Sequence, residues 1–203
     1  RAVGNIEEAE KLIAMTGIKV ANIVKYVRTS TANQGGPLVL ASGPGQLGEG
    51  LSSTVLNVDS KLGRWTALRQ VLGTMPLMAP LDFYHLASKF GLRLDPITKK
   101  RAMHYGVDLA GWTGAPVYST APGKVVFAGR KGRYGKMVEI DHGLGLRTRY
   151  AHLRKIMVKR GQQIVHRQKI GLLGSTGRST GPHVHYEVRF EGKPLNPRKF
   201  IMA

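Results

Sequence analysis

The chain has 203 residues, 42 % of them hydrophobic and none of them cysteine. That is enough material for a sizeable core, and it excludes a disulfide framework and thiolate metal ligation, leaving His, Asp and Glu as metal ligands. Against 12 Asp and Glu stand 31 Lys and Arg, a formal charge of +19, which favours a polyanionic partner (nucleic acid, anionic membrane surface or acidic wall polymer) without choosing among them.

The sequence opens on Arg1 and shows no signal peptide, so it reads as a processed or trimmed piece, with an upstream export signal, membrane anchor or coiled coil expected before it. Residues 5 to 27 are predicted helical. Asn5 with Glu8 suits an N-terminal cap, and Ile6, Ala9, Leu12 and Ile13 share one face. Thr16-Gly17 interrupts the pattern before Val20, Ile23, Val24 and Val27 resume it. The expectation is a helix that docks on the main domain rather than one that binds a partner. From Thr29 to Thr54 Gly, Ser, Thr, Pro and Gln dominate, which predicts a long loop. It is either a tether or a cover for the functional groove, with Asn33 or Gln34 able to face a metal. A second helix is expected from Asp59 to Leu72, with Leu62, Trp65, Leu68, Val71 and Leu72 on one face. The apolar stretch from Val71 to Leu81 is too short and too Pro-interrupted to cross a bilayer.

Beyond Leu81 short β-like runs are cut by turn signals. Strands are predicted at 116–120, 123–130, 136–141, 146–153, 169–174 and 183–190. The fold class is therefore mainly β, an antiparallel sheet domain over residues 81–203 with an N-terminal helical and linker region over 1–80.

Chemistry concentrates in the histidines. His104 and Asp108 lie four residues apart, His152 ends a predicted strand, and His183-Val184-His185 puts two imidazoles on one strand face. Such a pair is either part of a metal site or a solvent-exposed strand face. A hydrolytic zinc takes three N or O protein ligands and keeps one position open. His104, Asp108 and one histidine of the pair meet that count, leaving two histidines for proton transfer. His85 is expected on a helical turn, His142 in a turn and His166 in a basic loop, all without a catalytic role. Glu187 either orients a ligand or faces solvent, and Tyr134 either lines the groove or serves a turn. The glycines at 174, 177 and 181 are not followed by a phosphate-loop signature and are expected to let a loop pass close to substrate or metal.

Several stretches carry a family resemblance: Ser88-Lys89-Phe90-Gly91-Leu92-Arg93 with Asp95-Pro96, His104-Tyr105-Gly106-Val107-Asp108, residues 116–125, Tyr150-Ala151-His152-Leu153, and residues 174–187 ending in His183-Val184-His185-Tyr186-Glu187. Over about residues 86 to 201 the chain resembles the zinc metallopeptidases of the lysostaphin and LytM type, peptidase family M23. The resemblance implies one zinc ion held by His104, Asp108 and His185, with His152 and His183 as catalytic residues. It implies a zinc metalloendopeptidase that hydrolyses peptide bonds in peptidoglycan stem peptides or cross-links during wall remodelling or division. The helical appendage is similar to that of Gram-negative envelope members, which points to D-Ala–diaminopimelate cross-links and to a periplasmic, secreted or membrane-anchored location.

Two alternatives stand beside this reading. One is a catalytically silent activator of other wall hydrolases, against which all five site positions are retained. The other is a basic polyanion-binding envelope protein. The basic residues are scattered and no nucleic-acid motif accompanies them, so no specific nucleic acid is expected. The expected partners are peptidoglycan, anionic envelope polymers and division-complex proteins.

Overall fold

A computed structural model of the chain describes residues 2–31, 49–95 and 99–202. Contacts divide it into two compact units, Arg1–Ala14 with Ile18–Leu72 and Met15–Gly17 with Gly73–Ala203. The first is helical: α1 (Ala2–Met15), α2 (Val20–Thr31) and α3 (Glu49–Thr74). Ala9 and Ile13, Ile23 and Val27, and Leu68 and Val71 are buried at helical spacing. An Arg64–Glu10 ion pair of 2.5 Å ties α3 to α1.

Three expectations change here. The first helix begins at Ala2, so Asn5 lies within it and not at its N-terminal boundary. Gly17, at φ +85°, separates α1 from α2, as suits the residue that ends a helix. The predicted loop from Thr29 to Thr54 is helical at both ends, because α2 runs to Thr31 and α3 starts at Glu49. The Gly, Ser and Thr there are weak helix formers, and the longer helix overrides them. Leu62, expected on the buried face of α3, is 58 % exposed. Asn33 and Gln34 lie outside the described residues.

The second unit is built on an antiparallel sheet. Its strands are β1 (His85–Ser88), β4 (Val107–Ala110), β12 (His183–Phe190), β8 (Leu146–Leu153), β7 (Lys136–Gly143), β6 (Gly123–Arg130) and β10 (Gln163–Ile164), in that spatial order, with β13 (Lys193–Leu195) beside β12. A hairpin of β2 (Gly91–Leu94) and β3 (Arg101–His104) and a small sheet of β5 (Pro116–Tyr118), β11 (Lys169–Leu172) and β9 (Lys155–Ile156) complete the β structure, and α4 (Arg198–Ile201) follows β13. The six predicted strands all occur. His85 lies in β1 and not on a helical turn. His142 lies in the last part of β7, buried and hydrogen-bonded through both ring nitrogens to the Pro122 carbonyl and Thr148 Oγ1, each at 2.7 Å. His166 is exposed, as expected.

Period-two alternation divides the central strands into two faces. On β12, Val184, Tyr186 and Val188 enter the core with no exposure, paired across the sheet with Leu109 of β4 and with Tyr150 and Thr148 of β8. A buried polar chain secures this layer: Tyr150 Oη meets Thr120 Oγ1 and Thr148 Oγ1 at 2.9 Å, and Thr120 Oγ1 meets Tyr186 Oη at 3.0 Å. The other face of β12 carries His183, His185, Glu187 and Arg189. Its register aligns His185 with Asp108 of β4 on one side and Ala151 of β8 on the other, and Glu187 with Arg149. His183, His185, Asp108, Glu187 and Arg149 are thereby gathered on one surface.

Candidate metal centre and active site

His104 closes β3 and Asp108 lies in β4, so the four-residue spacing spans a strand–turn–strand and not a helical turn. The turn works because residue 106 is glycine: a Cβ there would fall 2.4 Å from the Tyr186 carbonyl oxygen and 2.9 Å from His185 Cε1. His104 Nε2, Asp108 Oδ1 and His185 Nδ1 converge on one point, separated by 3.1, 3.0 and 2.9 Å. His104 Nδ1–H donates to the Lys89 carbonyl at 2.8 Å, and His185 Nε2–H donates to Glu187 Oε1 at 3.2 Å. Both inward-facing nitrogens therefore present lone pairs. Two lone pairs and a carboxylate oxygen within about 3 Å repel one another unless a cation or proton lies among them. Tetrahedral zinc bonded at about 2.0–2.1 Å sets its ligand atoms roughly 3.3 Å apart, so the three groups fit such an ion with only slight spreading.

The local electrostatics agree. Burial disfavours the charged form of Asp108, but hydrogen bonds and attraction from His104 and His185 outweigh it and hold the carboxyl well below the usual range. Burial opposes charge on His185 also, yet Asp108 and Glu187 raise its pKa to about 8. Arg93 Nη2 reaches the outer oxygen of Asp108 at 3.3 Å and helps to orient it.

His152 and His183 flank the cluster, their ring centroids 4.7 Å apart. His152 stands at φ +60°, an uncommon conformation for a residue with a side chain. Its Nδ1–H donates to the Thr176 carbonyl at 2.7 Å, which leaves Nε2 as the lone-pair nitrogen. Burial lowers its pKa to about 4, so the ring is neutral at neutral pH. His183 Nδ1–H donates to the Gly181 carbonyl at 2.8 Å, and its Nε2 lies 3.7 Å from Asp108 Oδ1. All five residues line one groove of about 500 Å³, with Arg93, Arg133 and Arg178 also on its walls.

Residues 102–197 match the family model of peptidase family M23. The chain carries a peptidase family M23 domain. The "DD-carboxypeptidase/endopeptidase Mpg" of Neisseria meningitidis is 46 % identical over 118 residues, 58 % of this chain and 27 % of that protein. The "Peptidoglycan DD-endopeptidase ShyA" of Vibrio cholerae is 49 % identical over 122 residues, 59 % of this chain and 28 % of that protein. The chain thus spans under a third of the length of these relatives. A zinc-containing peptidase of Vibrio cholerae superposes with a TM-score of 0.56 at 41 % identity, covering 62 % of this chain and 39 % of that one. The catalytic domain of lysostaphin from Staphylococcus simulans gives 0.55 at 32 % identity, covering 59 % and 93 %.

Within the M23 domain the structure brings together all five residues singled out in the sequence. It also resolves two open readings. Glu187 is fully buried and turned toward His185, and Tyr134 lines the groove while its hydroxyl donates to Glu187 Oε1 at 2.7 Å. Burial and that carboxylate push the Tyr134 hydroxyl up to about 12. The glycines at 174 and 177 serve a different purpose from the one expected. A Cβ on Gly177 would meet Gly135 N at 2.4 Å and one on Gly174 would meet Arg154 N at 2.5 Å, so they admit neighbouring backbone rather than substrate, while Gly181 faces open space. Two supports went unseen in the sequence. Thr176 clasps His152 through its carbonyl and holds the Leu153 carbonyl and Lys136 N–H through its hydroxyl. Lys89 acts only through its main chain, which leaves no side-chain signature.

Proposed function

We propose that this chain is a zinc-dependent peptidoglycan endopeptidase acting on cross-links between stem peptides, at a D-Ala–diaminopimelate bond. The observation that carries the reading is the convergence of His104 Nε2, Asp108 Oδ1 and His185 Nδ1 to within about 3 Å in a groove also lined by two further histidines. The relatives described as peptidoglycan DD-endopeptidase and DD-carboxypeptidase/endopeptidase support the bond class.

His104, Asp108 and His185 hold the metal, one ion per chain. When bound, zinc supplies the Lewis acidity that makes water a nucleophile at neutral pH and polarises the scissile carbonyl. His152, neutral and with Nε2 unprotonated, accepts a proton from the attacking water. That same proton goes on to the leaving amine, and His183, fixed through Nδ1 with Nε2 free to take up a proton and its ring 4.7 Å from that of His152, relays it. Tyr134 stays protonated and presents a hydroxyl on the groove wall. Arg133 lines the groove beside Arg93 and Arg178, which pair with Asp108 and Asp95, and its guanidinium suits a peptide bearing a carboxylate. A wall substrate places the protein in the cell envelope, where the charge of +19 suits anionic polymers.

The test is mass spectrometry of fragments released from defined cross-linked muropeptide dimers by the zinc-loaded chain. Conversion of dimers to monomers at the D-Ala–diaminopimelate bond is expected. A chain that holds one zinc and leaves dimers, and every other stem-peptide bond, intact refutes the reading.

A further inference from the structure

Glu187 has no solvent exposure and sits in the middle of β12, two residues beyond His185 on the same face. Its two oxygens have separate partners. Oε2 accepts from Arg189 Nη1 at 2.9 Å and Arg149 Nη1 at 3.4 Å, and Arg149 is itself held by Glu139 at 3.0 Å. Two carboxylates and two guanidiniums thus balance in charge, and the ion pairs are complete without help from the site. Oε1 is left to face the groove, where it accepts from His185 Nε2–H at 3.2 Å and from the Tyr134 hydroxyl at 2.7 Å. A carboxylate needed only for structural ion pairing would have no reason to share one oxygen between a ring in the metal cluster and a tyrosine of the groove wall.

We infer that Glu187 is a positioning residue that fixes the tautomer and angle of His185 and, through the same oxygen, ties Tyr134 to it. With its proton held on Nε2, His185 can offer only Nδ1 to the cluster, and Nδ1 is the atom found 3.0 Å from His104 Nε2 and 2.9 Å from Asp108 Oδ1. An imidazole donating to a carboxylate is also a more basic ligand. The Arg149 guanidinium, 5.9 Å from the Tyr134 ring centroid, covers the other side of this arrangement. Metal retention and placement of the groove wall are therefore set by one buried group. The inference rests on the reading of the cluster as a zinc site, but not on the reaction proposed for it.

The experiment compares zinc affinity, by competition with a chromogenic chelator, in the full chain and in Glu187→Gln, Glu139→Gln and Tyr134→Phe. Glu187→Gln is expected to weaken zinc about 10–100-fold, the usual cost of losing such a partner. Glu139→Gln breaks the adjacent ion pair of Arg149 without touching His185 and is expected to keep the parent affinity, as is Tyr134→Phe. Equal losses in Glu187→Gln and Glu139→Gln, or no loss in Glu187→Gln, overturn the inference. Should Glu187→Gln fail to fold, the zinc-loaded parent decides: nitrogen-15 spectra must show a solvent-protected His185 Nε2–H with the metal at Nδ1, and the opposite tautomer refutes the role. A parent chain that binds no zinc removes the metal-site reading itself, whereas one that binds zinc but cleaves nothing removes only the proposed reaction.

Discussion

Gly106→Ala tests how the cluster is assembled without altering any ligand. The added Cβ would lie 2.4 Å from the Tyr186 carbonyl oxygen and 2.9 and 3.0 Å from His185 Cε1 and Nε2. Optimal separation of such atoms is about 3.5 Å, so β4 and β12 must part by about 1 Å where Val107 faces Tyr186. Overpacking of this kind costs about 1–3 kcal/mol. For a unit of this size that is roughly a 3–10 °C fall in Tm. The effect on metal is larger, because a shift of about 1 Å is half of a zinc–nitrogen bond of about 2.0–2.1 Å. Zinc affinity should therefore fall by about 100-fold or more, at or beyond the range seen for loss of a ligand's supporting partner. Calorimetry and chelator competition on the same preparation measure both quantities. A variant with unchanged Tm and unchanged zinc affinity would show that these strands do not meet at residue 106 as described.

His185→Ala should lose zinc and turnover together, whereas His183→Ala should lose turnover and retain most zinc; metal analysis beside muropeptide hydrolysis separates the two, and normal turnover in both defeats the assignment. Tyr150→Phe removes the hydroxyl that accepts from Thr120 N–H and contacts Thr120 Oγ1 and Thr148 Oγ1. The orphaned groups should cost about 1–3 kcal/mol in urea unfolding, and a loss under about 0.3 kcal/mol contradicts the buried network. In chelated, metal-free protein the His185 pKa stands at about 8 against an ordinary 6.5. Its contribution to stability is complete below pH 6.5 and disappears as pH rises through 8. Zinc needs the unprotonated nitrogen, so zinc affinity should run the other way and decline as pH falls below 8. Unfolding and metal titrations at pH 6, 7 and 9 check both trends, and a pH-independent zinc affinity contradicts them.

The site was more legible than its supports. His183-Val184-His185 announces a strand with two inward imidazoles because side-chain direction follows a period of two, and β12 obeys it from His183 to Phe190. Which histidine faces His104 and Asp108 depends on the register of β12 against β4, and no local pattern encodes a register that pairs Asp108 with His185, 77 residues apart in sequence. β1 to β4 escape prediction because each has only four residues, too few for a period of two to stand out, and on β2 it is the leucines that face outward, Leu92 73 % and Leu94 65 % exposed. Composition also misleads at the start of α3, where Gly, Ser and Thr favour a loop and the chain is helical from Glu49. Glu187 was visible as a charged residue on a core strand, but its partners Arg149, Arg189 and Tyr134 come together only through sheet pairing and the turn at 132–134.

The turn at 132–134 and the loop leading to His183 cross where Gly135 and Gly177 meet backbone to backbone, and the Arg178 N–H donates to the Arg133 carbonyl at 2.9 Å. One loop carries Tyr134 and the other leads to His183, so the width of the groove is set by main chain rather than by side chains. Selection for a new peptide then has little purchase on the gap itself. Exchanges at Arg133 and Arg178 can change which peptides enter while sparing the cluster. Any side chain at 135 or 177 would pry the two loops apart and disturb recognition and chemistry together.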